Sequence, residues 1–480
     1  MNILKNAVIY DCETFPNVFT LSVECLVEDF SETWEISEFK DEREGLFECF
    51  KWLMKNQVLM IGFNNLGFDY PVIDFLLRNK NATPTQIYTK ADTIINSFND
   101  RFSNNIWPSD RFAPQLDLFK LHHMDNHAKS TSLKALQINM RSPSVVDMPV
   151  AVGTMLTKQQ IRELLIPYNR HDVAQTKQFA KLSAEAINFR MSLTQQFGVD
   201  VLNWSDTKIG SKIMEKRLGK TNKTVTKVKR ESIALKDIIF PYIHFEHPEF
   251  KRILDYFREQ VLTSEAIKEI GKESGIKTKG IFKNVTANVG GLDFHFGTGG
   301  IHGSVSAQRI RATESLLIRD IDVEGLYPSI AIVNGLSPEH LGKQFSEEYA
   351  KLPQERKYWQ KLKGKKCVEA NTLKLASNGV YGNSNNPYSV FYDPQFTLTI
   401  TVNGQLMLCM LAEKLLTVPS LQIQQINTDG ITYTIHPDHE PTAATVCREW
   451  ETYTKLKLES QSFTRLFIRD CNSYVAEYEE

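Results

Sequence analysis

The chain has little that would tie it to an oxidising compartment, a membrane or a bulk polyanion. Its 480 residues include only 7 cysteines, with no Cys-x-x-Cys pair. That scatter argues against a zinc site or a disulfide framework and for a reducing compartment, the cytoplasm by default. No apolar run approaches a membrane span, and the opening Met-Asn-Ile-Leu-Lys-Asn is too short and polar before Asp11 for a signal peptide, so no membrane partner is expected. Net charge is −1, so the chain as a whole does not advertise a polyanionic partner. Internal repeats and low-complexity segments are also missing. What is present is the balance of a soluble globular protein, 42% hydrophobic and 24% charged. The length exceeds one core, so roughly two to four domains are expected.

Charge is uneven along the chain. Lys208 to Arg230 carries nine Lys/Arg against one acid, and Lys351 to Lys374 is basic too. Each stretch reads either as a solvated helix face or as a track for phosphates.

Acidic residues recur at element ends. Residues 5 to 39 alternate as antiparallel strands, and Asp11 and Glu13, two apart, leave the same face of the first. A second apolar strand, Val58 to Phe63, runs into Asn64 and then Asp69 at a strand-to-helix junction, where Asp69 is either a helix cap or a site residue. Pro167 suits a first helical turn, and Tyr168 and Asp172 follow at a spacing of four, on one face. Asp11, Glu13, Asp69 and Asp172 thus come from separate elements of one domain-sized stretch. Such a set can bind two divalent cations roughly 4 Å apart and hydrolyse a phosphodiester. Further on, Leu316 to Ile330 reads as a strand carrying Asp320 and Asp322 on one face, turned by Glu324-Gly325. Ala370 to Gly382 reads as a helix ending at glycine, with Lys374, Asn378 and Tyr381 along one stripe. Ile423 to Ile435 reads as a hairpin around Asp429-Gly430.

Three of these patterns, Asp11-x-Glu13, Asn64-x-x-x-Phe68-Asp69 and Tyr168-x-x-x-Asp172, resemble in order the exonuclease motifs of family B DNA polymerases. The resemblance implies a ribonuclease-H-like 3′–5′ proofreading domain over 1–190, with the four carboxylates as metal ligands, Tyr168 orienting the attacking water and Asn64 contacting the primer end. Leu116-Asp117-Leu118 and Ser132-Leu133-Lys134 resemble linking segments, with Asp117 structural. Asp322-x-x-Gly-Leu-Tyr-Pro-Ser resembles polymerase motif A. It implies metal binding at Asp322 and Val323, and nucleotide binding at Leu326 and Tyr327, the tyrosine lying under the sugar and rejecting a 2′-hydroxyl. Lys374-x-x-x-Asn378-Gly-x-Tyr381-Gly resembles motif B, with Gly379 where serine is commoner, and adds Lys374, Asn378 and Tyr381 to the nucleotide site. Arg356, Lys357 and Lys361 are further candidate phosphate ligands. Asn427-Thr-Asp429 resembles motif C, with Asn427 replacing the first acid and Asp429 keeping the metal.

Two weaker correspondences concern DNA contact. Phe296 to Gly303 lies where the family carries a Tyr-x-Gly-Gly loop, and gives Gly299 and Gly300, although Phe296 and the extra glycine depart from that pattern; a flexible interdomain linker is the other reading. Phe467 to Tyr474 resembles the strand with the Lys-x-Tyr primer contact, with Asn472 for lysine, and gives Tyr474. Only 52 positions separate Asp322 from Lys374, so short fingers are expected.

The expected architecture is α/β and α+β multidomain: exonuclease 1–190, a helical connecting region with basic faces 191–300, palm 301–340, short helical fingers 341–385, palm again 386–480, and no thumb. The resemblance implies a phage-like replicative enzyme in the host cytoplasm with two Mg²⁺ per active site, or Mn²⁺ in substitution. Its partners would be primer-template DNA, deoxynucleoside triphosphates, replisome factors and a separate polypeptide supplying the thumb. Two alternatives stay open: a 3′–5′ exonuclease with weak or no polymerase activity, and a non-catalytic DNA-binding replication subunit.

Overall fold

The computed structural model describes residues 7–97, 104–125, 130–271 and 280–479, with the side chains of 268–271 left aside. The chain divides into two compact units, Met1–Ser205 and Asp206–Glu480.

The first unit is built on strands β1 (Val8–Phe15), β2 (Val18–Cys25), β3 (Ser31–Ser37), β4 (Met60–Gly62) and β5 (Gln115–Asp117), in the order β3-β2-β1-β4-β5. β2 runs antiparallel to β1 and β3, whereas β4 and β5 continue parallel to β1. The alternation along β1 decides what each face does. Val8, Tyr10 and Cys12 enter a core with the helices Arg43–Lys55, Asp69–Arg78 and Pro84–Asn96. Ala7 and Ile9 enter another with Val173 and Phe179 of the helix Ile166–Leu182. Asp11 and Glu13 continue the Ile9 face, beneath the start of that same helix.

The second unit opens with a small ladder, β6 (Ser232–Ala234) on β7 (Val261–Thr263). Its main sheet holds β8 (Thr286–Val289), β9 (Leu292–Phe296), β10 (Ile301–Ser304), β11 (Gln308–Arg311), β12 (Leu317–Val323), β13 (Gln422–Asn427), β14 (Gly430–Ile435), β15 (Leu458–Asp470) and β16 (Ser473–Tyr478). The order is β11-β15-β12-β14-β13-β10-β9-β8, with β16 on β15, and every pairing is antiparallel. β12, which carries Asp322, therefore lies inside the sheet between β15 and β14.

Behind this site runs the helix Pro394–Leu415, started by Asp393, whose carboxylate accepts from the Gln395 amide (3.1 Å), and by Pro394 in its first turn. All but Gln395, Thr397 and Lys414 of it are buried. The expectation that no run approaches a membrane span is corrected here: this helix is long and apolar enough by length and composition, but it is the core of its unit. Two of its buried polar residues each hold a distant chain segment. Asn403 takes the Phe240 amide (2.7 Å) and donates to the Ile238 carbonyl (2.7 Å), while Glu413 accepts from the amides of Glu246 (3.0 Å) and His247 (2.7 Å).

Three features differ from the sequence reading. The proposed connecting region 191–300 is divided, because residues up to Ser205 belong to the first unit and β8 and β9 are strands of the large sheet. These strands escaped notice because they are short and turn at Gly290-Gly291, both with positive φ. The helix expected to stop at Gly382 runs Val368–Asn383. It passes straight through Gly379 because the helix Asp206–Leu218 crosses there: a Cβ on Gly379 would sit 2.9 Å from Gly210 Cα and 2.8 Å from the Thr207 carbonyl oxygen. A serine, or any side chain, is excluded by that contact. Finally, part of the basic stretch 208–230 faces inward. Arg217 pairs with Glu348 (3.4 Å) and Glu355 (2.5 Å), and Arg230 with Glu339 and Asp393 (both 2.8 Å).

Candidate active sites

In the first unit Asp11 is within charge reach of the other three acids, Asp69, Glu13 and Asp172. Asp69 opens its helix but does not cap it: its Oδ1 accepts the Cys12 amide of β1 (3.0 Å), between Asp11 and Glu13. Asn169, one residue after Tyr168, donates to Asp11 Oδ2 (2.7 Å) and to the Asp11 carbonyl (3.1 Å). Gln137 donates to Asp172 (3.4 Å). Burial raises Asp11 well above the ordinary carboxyl value, and Asp69, Glu13 and Asp172 raise it further, while the Asn169 bond opposes them. Glu13 is raised by burial, then by Asp172 and Asp69. Asp69 is pushed up to about 7 by burial, against the Cys12 hydrogen bonds. In Asp172 the same effect is eased by the Tyr168 hydroxyl.

Asn64 sits exposed at the rim with φ +59°, its amide held by Asp117 Oδ1 (2.9 Å). Asp117 also accepts from Phe119 (3.0 Å) and Leu66 (3.3 Å), so its work is to hold this loop. Asn169 and Gln137 were not singled out in the sequence. Asn169 carries a signal only once the Tyr168–Asp172 helix is known to lie over β1.

In the second unit Asp322, on β12, and Asp429, in the turn that leads into β14, lie at neighbouring positions of the ladder. Asp322 is the register partner of Gly430, and the Val323 amide donates to the Asp429 carbonyl (2.8 Å). The hairpin turns at Thr428-Asp429 rather than at Asp429-Gly430, closing on the pair Asn427↔Gly430, with Thr428 at φ +26°. Gly430 is needed inside the ladder for another reason: its Cβ would fall 1.7 Å from Asp322 Oδ1. Gly430→Ala is accordingly expected to displace the Asp322 carboxylate and to destabilise the protein by about 1–3 kcal/mol, measured by denaturant unfolding.

Asp322 is pushed up to about 7 by burial, then by Asp320 and Asp429. Asp429 is raised by burial and by Asp320. Asp320, seen in the sequence on the Asp322 face but given no role, accepts from Thr432 (2.5 Å). Glu459 faces Asp322 from β15.

Tyr327, whose phenol burial, Tyr381 and Asp429 all raise, stacks on Tyr381, with centroids 4.1 Å apart and planes at 21°. Leu326 is buried beside it. The Tyr327 hydroxyl donates to the Gly299 carbonyl, and a Cβ on Gly300 (φ +150°) would lie 3.1 Å from that same hydroxyl. The glycine loop is thus the β9–β10 hairpin of the sheet and not a linker. Lys374 and Asn378 are exposed on the helix that carries Tyr381. Of the helix Gly342–Lys363, Lys357 pairs with Glu324 (3.3 Å), Lys361 is exposed, and Arg356 is half-buried with its Nε unpartnered. Tyr474 on β16 is 47% exposed; burial raises its phenol, and Asp320 and Asp322 raise it further, so it lies within electrostatic reach of the acids.

Among the described residues no group of three or more His, Cys, Asp or Glu side chains is gathered as one metal ion would hold them. The donor chemistry nonetheless fits divalent cations: oxygen ligands on separate rigid elements, whose strongest charged neighbours are other carboxylates, a repulsion that a cation relieves.

These two units make a multidomain fold of mixed α/β and α+β type. The more particular similarity is a distant one to family B. The family B DNA polymerase of the hyperthermophilic archaeon Pyrobaculum calidifontis superimposes with a TM-score of 0.55 at 12% identity, over 98% of this chain and 59% of that one. This chain therefore spans 59% of that polymerase's length. At the level of sequence, no family model and no curated protein matches.

Proposed function

We propose that the chain is a DNA-directed DNA polymerase with an associated 3′–5′ proofreading exonuclease, extending a primer by phosphoryl transfer. The observation that carries this reading is the proximity of Asp322 on β12 to Asp429 in the adjoining turn, with the stacked Tyr327 also within reach of the Asp429 charge. Asp322, Val323 and Asp429 would hold Mg²⁺ or Mn²⁺, which when bound lowers the charge barrier to attack of a 3′-hydroxyl on an α-phosphate. Tyr327 lies under the incoming sugar, while Lys374 and Asn378, exposed on one helix face, meet the triphosphate with Lys361 and Arg356. Gly299, Gly300 and Tyr474 contact primer-template DNA.

The mixed sheet of the first unit, with β2 alone antiparallel to its neighbours' common direction, supports a ribonuclease-H-like assignment. There Asp11, Glu13, Asp69 and Asp172 would hold the cations, Tyr168 orients the water through Asp172, and Asn64 contacts the primer end. Deoxynucleoside triphosphates and replisome factors belong to the same proposal. The test is extension of a labelled primer on a defined template at low salt. Template-directed products with deoxynucleotides support it, and primer shortening with no extension under any nucleotide supply would leave an exonuclease alone.

The carboxyls give a second, binding-level expectation. Asp69 and Asp322, raised to about 7, and Asp117, raised to about 6, hold protons more tightly folded than unfolded. Their contribution to stability is full below the unfolded value of 3.8 and is lost as pH rises through about 6 to 7. The metal-free protein should therefore melt at lower temperature at about pH 8 than at about pH 5, and added Mg²⁺ should raise the melting point more at the higher pH, where it does not compete with protons. Calorimetry at both pH values, with and without the cation, checks this.

A further inference from the structure

The sugar-facing tyrosine pair is held by a residue far from any nucleotide. Gln405 is buried in the middle of the helix Pro394–Leu415, where an amide side chain is costly unless its hydrogen bonds are made. Two of its three bonds go to one residue of another segment. Its Oε1 accepts the Gly297 amide (3.0 Å), and its Nε2 donates back to the Gly297 carbonyl (3.1 Å) and to Thr401 of its own helix (3.1 Å). Side chain and backbone so form a closed two-bond clamp on the first residue of the glycine loop, two residues before Gly299, whose carbonyl takes the Tyr327 hydroxyl.

Thr401, one helical turn before Gln405, bonds the Tyr381 hydroxyl (2.9 Å). Both hydroxyls of the stacked pair are therefore referred to the same rigid helix, one directly and one through the loop. A loop with Gly297, Gly299 and Gly300 has little conformational preference of its own, and a cavity of about 110 Å³ lined in part by Thr298 and Thr401 gives it room to shift. Without the clamp the Gly299 carbonyl would not stay under the tyrosine.

We infer that Gln405 is a positioning residue for sugar selection, fixing the glycine loop so that its Gly299 carbonyl locks the Tyr327 hydroxyl and with it the ring that meets the incoming ribose. This rests on the polymerase reading of the Asp322–Asp429 site.

The experiment is single-nucleotide insertion on a defined primer-template by the full chain, comparing kcat/KM for a deoxynucleotide and its ribonucleotide. The proteins are the wild type, Gln405→Met, Tyr327→Phe and the double variant, each with a melting curve. Gln405→Met keeps length and removes both clamp bonds; it should lower discrimination against the ribonucleotide about tenfold, the order of one lost hydrogen bond. Tyr327→Phe should do the same, and the double variant should be no worse than either single, because all three break one chain of contacts. A folded Gln405→Met with the wild-type sugar ratio overturns the inference, as do additive losses in the double variant. If Gln405→Met does not fold, Tyr327→Phe, which leaves the core untouched, carries the test, and an unchanged ratio there overturns it. A wild type that extends with neither nucleotide overturns the polymerase reading itself, a different failure from an extending enzyme whose sugar ratio ignores Gln405.

Discussion

Asp322→Ala should abolish primer extension, by roughly a thousandfold or more, while removal of nucleotides from the primer end continues; Asp429→Ala should do likewise. Metal-assisted stabilisation of a phosphoryl transition state is worth several kcal/mol, and each 1.4 kcal/mol or so is a factor of ten. With Asp322 gone, Asp429 alone remains of the pair, and Asn427 cannot replace a carboxylate. Stability should move the opposite way. Asp322 is half-buried near Asp320 and Asp429, so ionising it near neutral pH is unfavourable in the metal-free fold. The alanine variant should therefore melt at the same or a higher temperature than the wild type without cation, and should gain less from added Mg²⁺. Loss of activity with gain of stability marks a site residue, whereas a structural acid would lose both. A variant that unfolds, or that loses end-removal in the same proportion, would mean that the acid serves the fold and not the chemistry.

How much of this was readable from the residues follows from which interactions are local. Strand periodicity is local, and it put Asp11 with Glu13, and Asp320 with Asp322, on common faces without any structure. Helix periodicity did the same for Tyr168 with Asp172 and for Lys374, Asn378 and Tyr381. What could not be read depends on partners distant in sequence. Asp69 was evenly divided between cap and site until the Cys12 amide was found on its carboxylate. Nothing near Asn169 announces Asp11, 158 positions away. Gly379 looked like a departure from a motif, and only the crossing of another helix at Gly210 explains it. Arg217 and Arg230 counted towards a phosphate track but are committed to internal carboxylates. Gly430 suggested a turn, yet its place in the ladder is set by the side chain opposite. Gln405 carries no local signal, because its partner lies in a loop that precedes it by more than a hundred residues.

The double change Asp11→Ala with Glu13→Ala should give the converse of the Asp322 result: primer extension retained, end-removal reduced by roughly a thousandfold. Both side chains leave β1 on the face covered by the helix Ile166–Leu182, between the core residues Ile9 and Phe15, and neither is itself a member of a core. Asn169 would lose its carboxylate partner but keep the Asp11 carbonyl, so the fold should persist. Removing two raised, mutually repelling acids should again leave the metal-free melting temperature unchanged or higher. The consequence for copying follows from the size of base-pair discrimination. Differences of roughly 1–3 kcal/mol per small structural feature give only about ten- to two-hundredfold selectivity at a single step. An enzyme that relied on a second step should therefore extend mismatched primer ends, and leave errors in its product, about ten- to a hundredfold more often once that step is lost. Sequencing of products made by the two proteins under matched nucleotide supply measures this directly. Equal error frequencies, together with unchanged release of terminal nucleotides, would take the four acids of the first unit out of editing altogether and leave their repulsion without a chemical purpose.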